Sequence, residues 1–216
     1  MSNECSPNFA LSGLRFPAII TAIIAVCVLV ELVLVASDLR IGLQVGLRGK
    51  AYQYGGLWAG LLYDWKPNYA AQPYLMFVSH AWLHAGWLHL VVNMLTLVSI
   101  GAVLVDRVGQ LKFALLYAAS VLGGAFGFCL ITQQTDPMIG ASGGLFGLVG
   151  AYVAWDYVDR FTAKRRLWPV AQLVLYLLAF NIVMWWVTDG RLAWEGHLGG
   201  FLAGWAAAAL IDPRSR

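Results

Sequence analysis

Five polar side chains sit in stretches that are otherwise apolar. The chain's four histidines are His80, His84, His89 and His197, and Ser142 lies in the glycine-rich stretch Gly140-Ala141-Ser142-Gly143. A hydroxyl beside an imidazole is the smallest unit that makes an activated oxygen nucleophile, because the ring takes the proton as the oxygen attacks. Asn93, one helical turn after His89, adds an amide donor. Polar groups inside a bilayer are costly and tend to face the interior of a bundle, so each is a functional candidate. For any one of them alone, structural hydrogen bonding is an equal alternative. Their shared depth is what sets them apart.

That depth follows from the elements around them. The chain has 216 residues, 60% hydrophobic and only 12% charged, with a mean hydropathy of +0.70. Soluble domains carry about a quarter charged residues, so the balance argues for a membrane protein. A span needs about 20 apolar residues. Five stretches qualify (17–35, 88–105, 111–131, 167–187 and 192–211), and a sixth, 140–155, is shorter and rich in glycine. No linker or internal repeat divides them. The expectation is one all-α, six-helix membrane bundle over residues 1–216, with a long external loop, 36–79, after the first span. That loop is rich in Tyr and Trp and is expected to lie partly in the membrane interface. Arg107 and Lys112 follow span two, and Arg160, Lys164, Arg165 and Arg166 follow span four. The positive-inside bias then puts both termini in the cytoplasm. The expected location is a bacterial inner membrane, crossed several times. The first run is too long for a signal-peptide core, and the residues before it lack transit-peptide character.

Spans two, four and six run from outside to inside in this topology. Counted from their inner ends at Val105, Trp155 and Ile211, Ser142 and His197 lie ~20 and ~21 Å up, and His89 and Asn93 ~24 and ~18 Å. Polar residues from three helices thus fall at one level, ~10 Å below the outer edge of a ~30 Å core. Span four begins at that level, and backbone above it needs solvent, which implies a water-filled cavity open to the outside.

Gly140/Gly144, Gly143/Gly147, Gly196/Gly200 and Gly200/Gly204 are small-xxx-small faces that let helices approach closely. Packing alone would explain the glycines around Ser142, but not a histidine at matching depth on the other glycine-rich helix. His80 and His84 are spaced to hold a metal, yet no Cys, Asp or Glu accompanies them, so they read as supports of the outer loop. Cys5, Cys27 and Cys129 form no CxxC pair, and neither a disulfide nor a zinc site is expected. A net charge of +3, scattered along the chain, gives no sign of nucleic-acid binding.

Three motifs together resemble the rhomboid family of intramembrane serine proteases. They are HxxxxHxxxN in His84-Ala85-Gly86-Trp87-Leu88-His89-Leu90-Val91-Val92-Asn93, GxSG in Gly140-Ala141-Ser142-Gly143, and Glu195-Gly196-His197-Leu198-Gly199-Gly200. The resemblance covers nearly the whole chain. It implies a Ser142–His197 dyad without an acidic third member, working through an acyl-enzyme. It also implies oxyanion stabilisation by the Ser142 N–H with the side chains of His89 and Asn93. Phe146 matches a family position whose ring packs on the catalytic histidine, with core filling as the alternative. Many members carry a Trp-Arg pair in the outer loop where this chain has Leu75 and Met76, which leaves the bracing of that loop open.

Implied partners are transmembrane protein substrates and the lipid bilayer, with no cofactor, metal or nucleic acid. The alternatives are a rhomboid-like binder that does not cut, whose kind usually loses the serine or the histidine, and a transporter. A transporter would want ionisable residues through the interior or an inverted repeat. Glu31, near the outer end of span one, could enter the cavity or snorkel to the interface. Trp185 and Trp186 could form a lateral entry gate or an aromatic belt.

Overall fold

A computed structural model of the chain describes residues 17–41 and 45–211. Cys5 and the polar N-terminal segment lie outside them. Every helix or strand among the described residues is helical. The α-helices are α1 (Ala18–Asp38), α2 (Leu47–Gly55), α3 (Gln72–Ser79), α4 (Trp87–Val108), α5 (Gln110–Ile131), α6 (Ser142–Thr162), α7 (Trp168–Val187) and α8 (Trp194–Leu210). Short 3-10 turns at Ala59–Leu62 and His80–Trp82 lie between α1 and α4. Helices α1, α4, α5 and α7 are each long and apolar enough to cross a bilayer.

Three elements differ from the sequence reading: the run 192–211 forms only the 17-residue α8, the expected loop 36–79 holds α2 and α3, and the fourth run starts and ends elsewhere. The fourth apolar run, expected over 140–155, is the 21-residue helix α6. It starts two residues later because Gly140 has φ +119°, a conformation no helix continues through. It ends seven residues later because its last turns are held by charge. Arg160 pairs with Asp156 one turn back at 2.7 Å, and Arg107 of α4 reaches Asp159 at 2.7 Å. Hydropathy stops at Trp155, but the helix does not. The depth counted from Trp155 therefore does not fix where Ser142 stands, and its contacts must.

The centre of the bundle is where α5, α6 and α8 meet backbone to backbone. A Cβ on Gly200 would run into the carbonyl oxygen of Gly143, and one on Gly204 into that of Gly147. Only glycine permits this approach, which brings the first turns of α6 and α8 together. Ile20 of α1 and Leu97 and Leu104 of α4 share an apolar core with Phe113 of α5 and Leu148 of α6. Cys27 and Cys129 are buried free thiols among such apolar side chains. Helix α7 packs differently: Val170 is its only buried residue.

Glu31 follows neither of its two sequence readings. Its carboxylate is buried and takes a two-pronged bond from Arg48 of α2, at 2.8 and 3.2 Å. Arg48 also donates to Asp38 at 2.6 Å and to the carbonyl of His84 at 3.0 Å, and the Tyr52 hydroxyl donates to that carbonyl at 2.8 Å. One guanidinium thus ties α1 and α2 to the turn ahead of α4. This brace lies apart from Leu75, which is exposed, and Met76, which is buried. Removing one partner of a buried ion pair strands the other charge, at a cost of about 3–5 kcal/mol. Arg48→Ala is therefore expected to lower the melting temperature in detergent markedly. The double replacement Glu31→Leu/Arg48→Leu should recover much of the loss, since no buried lone charge remains and Asp38, the other partner of Arg48, is exposed to solvent. An unchanged melting temperature in Arg48→Ala would show that the pair does not brace the fold.

Candidate active site

Ser142 is the first residue of α6. The segment leading to it is held from the side of the α1–α4 connection. Leu57 and Met138 exchange two backbone hydrogen bonds of 3.0 Å, and the Gly140 N–H donates to the His80 carbonyl at 2.9 Å. At Gly140 a Cβ would sit 2.8 Å from Cε1 of His89, so both φ and space require glycine there. Gly143 faces α8, where its own Cβ would lie 3.4 Å from the Gly196 carbonyl oxygen.

His197 lies in the first turn of α8 and is buried. Its Nε2 is 2.9 Å from Ser142 Oγ and its Nδ1 is 2.7 Å from Oδ1 of Asn181, on α7. Phe146, one turn after Ser142, stacks on the imidazole with ring centres 4.1 Å apart and planes 7° from parallel. The close approach of α6 and α8 is what lets Ser142 and His197 meet.

His89 and Asn93 stand one turn apart near the start of α4. His89 Nδ1 accepts the Ala85 N–H at 3.2 Å, which leaves its proton on Nε2. A Cβ on Gly140 would lie 3.0 Å from that Nε2 and 3.8 Å from Ser142 Oγ, so donor and hydroxyl face the same small space. Asn93 is buried and donates one amide hydrogen to the His89 carbonyl at 2.8 Å. An amide NH₂ carries a second hydrogen, free to donate elsewhere.

His80 and His84 sit outside this group. The ring of His80 is buried, with Nδ1 bonding the Met76 carbonyl at 2.8 Å. His84 is buried too, edge-on to His89 with ring centres 5.3 Å apart. Burial, for His84 with the nearby His89 as a lesser cause, pushes both imidazoles down to about 4. Both are neutral at physiological pH. Among the described residues no three His, Cys, Asp or Glu side chains are grouped to share a metal ion.

Asn181 is the residue of this site that the sequence reading lacks. The available signal was a lone amide within an apolar span, the kind of residue expected to face a bundle interior. Trp185 and Trp186, one turn further along α7, are exposed and meet edge to face.

Known proteins share this arrangement of sequence. The family model of the Rhomboid domain matches residues 71–214, which hold Ser142, His197, His89 and Asn93. RHOMBOID-like protein 5 of Arabidopsis thaliana is 34% identical over 128 residues, 59% of this chain and 40% of that protein. RHOMBOID-like protein 6, mitochondrial, of the same plant is 31% identical over 157 residues, 70% of this chain and 49% of that protein. Rhomboid protease GluP of Bacillus subtilis (strain 168) is 30% identical over 129 residues, 60% of this chain and 24% of that protein. The chain thus spans half or less of the length of these relatives.

Proposed function

The chain belongs to the rhomboid family, and from that premise we propose that it is a serine endopeptidase that cuts transmembrane segments of other membrane proteins. The family and the long apolar helices make it an all-helical, multi-pass membrane protein. We read it as one domain of six spans, α1, α4, α5, α6, α7 and α8, with both termini cytoplasmic and α2 and α3 on the outer side. Relatives come from a plant and from bacteria alike, so they do not single out a bacterial inner membrane.

The observation that carries the proposal is the 2.9 Å contact between Ser142 Oγ and His197 Nε2 across two helices. Ser142 gives its proton to Nε2 as Oγ bonds to the carbonyl carbon of the scissile peptide. The tetrahedral oxyanion takes hydrogen bonds from the Ser142 N–H, His89 Nε2–H and the second Asn93 N–H. The Ser142 N–H belongs to the unpaired first turn of α6, where the helix dipole also favours negative charge. The C–N bond then breaks as His197 hands its proton to the leaving amine. A water, deprotonated by His197, attacks the resulting ester and frees Ser142. Phe146 holds the imidazole plane through both steps.

The other reading is a rhomboid-like protein that binds membrane proteins without cutting them. An intact Ser–His contact favours the protease. The two separate when purified protein is mixed in liposomes with a single-span substrate. Two fragments with wild type and none with Ser142→Ala is the expected result. Association without fragments would favour the binder.

A further inference from the structure

A neutral imidazole carries one proton and cannot serve as a base through the nitrogen that holds it. For His197 Nε2 to accept the Ser142 proton, the ring hydrogen must sit on Nδ1, and a buried N–H needs an acceptor. Nδ1 faces one end of the Asn181 amide, 2.7 Å away. Which end is oxygen follows from the other side of the same amide. Its Nδ2 lies 2.9 Å from the Leu177 carbonyl, a group that only accepts, so nitrogen must stand there and oxygen must face His197. The chain of donors therefore runs one way: Asn181 Nδ2–H to Leu177 O, His197 Nδ1–H to Asn181 Oδ1, Ser142 O–H to His197 Nε2.

We propose that Asn181 is a positioning residue that selects the tautomer and ring orientation of His197. This rests on the reading of Ser142 and His197 as the catalytic pair. The role is the one an acid plays in hydrolases with a third member, here filled by a neutral amide from another helix. Its contribution grows during the reaction. When His197 becomes an imidazolium, the Nδ1–H···Oδ1 bond turns charge-assisted and strengthens. An interaction stronger in the transition state than in the ground state raises kcat and leaves KM alone.

The test uses the full chain with Asn181→Leu, which removes the acceptor, and Asn181→Asp, which keeps an oxygen in its place. Turnover of a single-span substrate is measured per folded molecule, with melting temperature alongside. Loss of a partner that orients an imidazole typically costs about 10- to 100-fold. The Leu variant should lose that much kcat with KM and melting temperature little changed, and the Asp variant should recover most of it. Three results would overturn the proposal: kcat within about twofold of wild type in the Leu variant, a lower melting temperature with normal turnover per folded molecule, or an Asp variant as slow as the Leu one. Ser142→Ala in the same assay tests the underlying pair independently. Activity there would remove the dyad itself, which no Asn181 variant touches.

Discussion

Ser142→Ala and His197→Ala are each expected to reduce cleavage of a transmembrane substrate to background, with the double variant no slower than either single one. That is the largest effect the site predicts. In the proposed mechanism Oγ is the atom that bonds to substrate, and Nε2, 2.9 Å away, is the group that takes its proton. With either missing, the other has nothing to do. Residues acting as one unit lose their effects non-additively, and a nucleophile–base pair can account for on the order of 10⁶ in kcat. The two variants differ in stability. Ser142→Ala removes one oxygen from a helix start. His197→Ala also loses the stack on Phe146 and the bond to Asn181, so its turnover must be read per folded molecule. Independent, additive losses would mean that Ser142 and His197 do not act together.

Asn93→Ala should lower turnover about 100-fold or more with substrate affinity little changed. One lost oxyanion donor typically costs about 3 kcal/mol of transition-state stabilisation. Activity should fall without vanishing, because the Ser142 N–H and His89 Nε2–H remain. His89→Ala should lose more. Its ring packs over Gly140 and against His84, so the variant empties space as well as removing a donor. The structural alternative reads Asn93 as a residue that only caps the His89 carbonyl, at 2.8 Å. It predicts a lower melting temperature with normal turnover in the folded fraction. Measuring both on Asn93→Ala separates the two.

Much of this site was legible in the sequence, because its parts depend on local signals. GxSG marks a glycine-locked helix start, and the His89/Asn93 pair one turn apart marks a single helix face. The glycines of α6 and α8 announced a close approach, which the packing of Gly200 on Gly143 embodies. Where sequence failed, the cause was long-range. Asn181 is a lone amide in an apolar run, and nothing local pairs it with a histidine on the next helix. Glu31 was left between the cavity and the interface because Arg48 belongs to a separate helix, and only the fold brings the two together. The end of α6 was misjudged because hydropathy counts apolar residues, while Asp156, Asp159 and Arg160 extend the helix through charge pairs.

Everything proposed for this protein depends on Ser142 being a nucleophile activated by His197. Incubating the folded protein with a fluorophosphonate, followed by intact and peptide mass measurement, tests it most directly. Such reagents react with a serine hydroxyl only where a base takes its proton. One adduct per chain is expected, on the peptide that holds Ser142, absent in Ser142→Ala and strongly slowed in His197→Ala. A folded wild-type protein that takes no adduct, or an adduct that persists in Ser142→Ala, would contradict it.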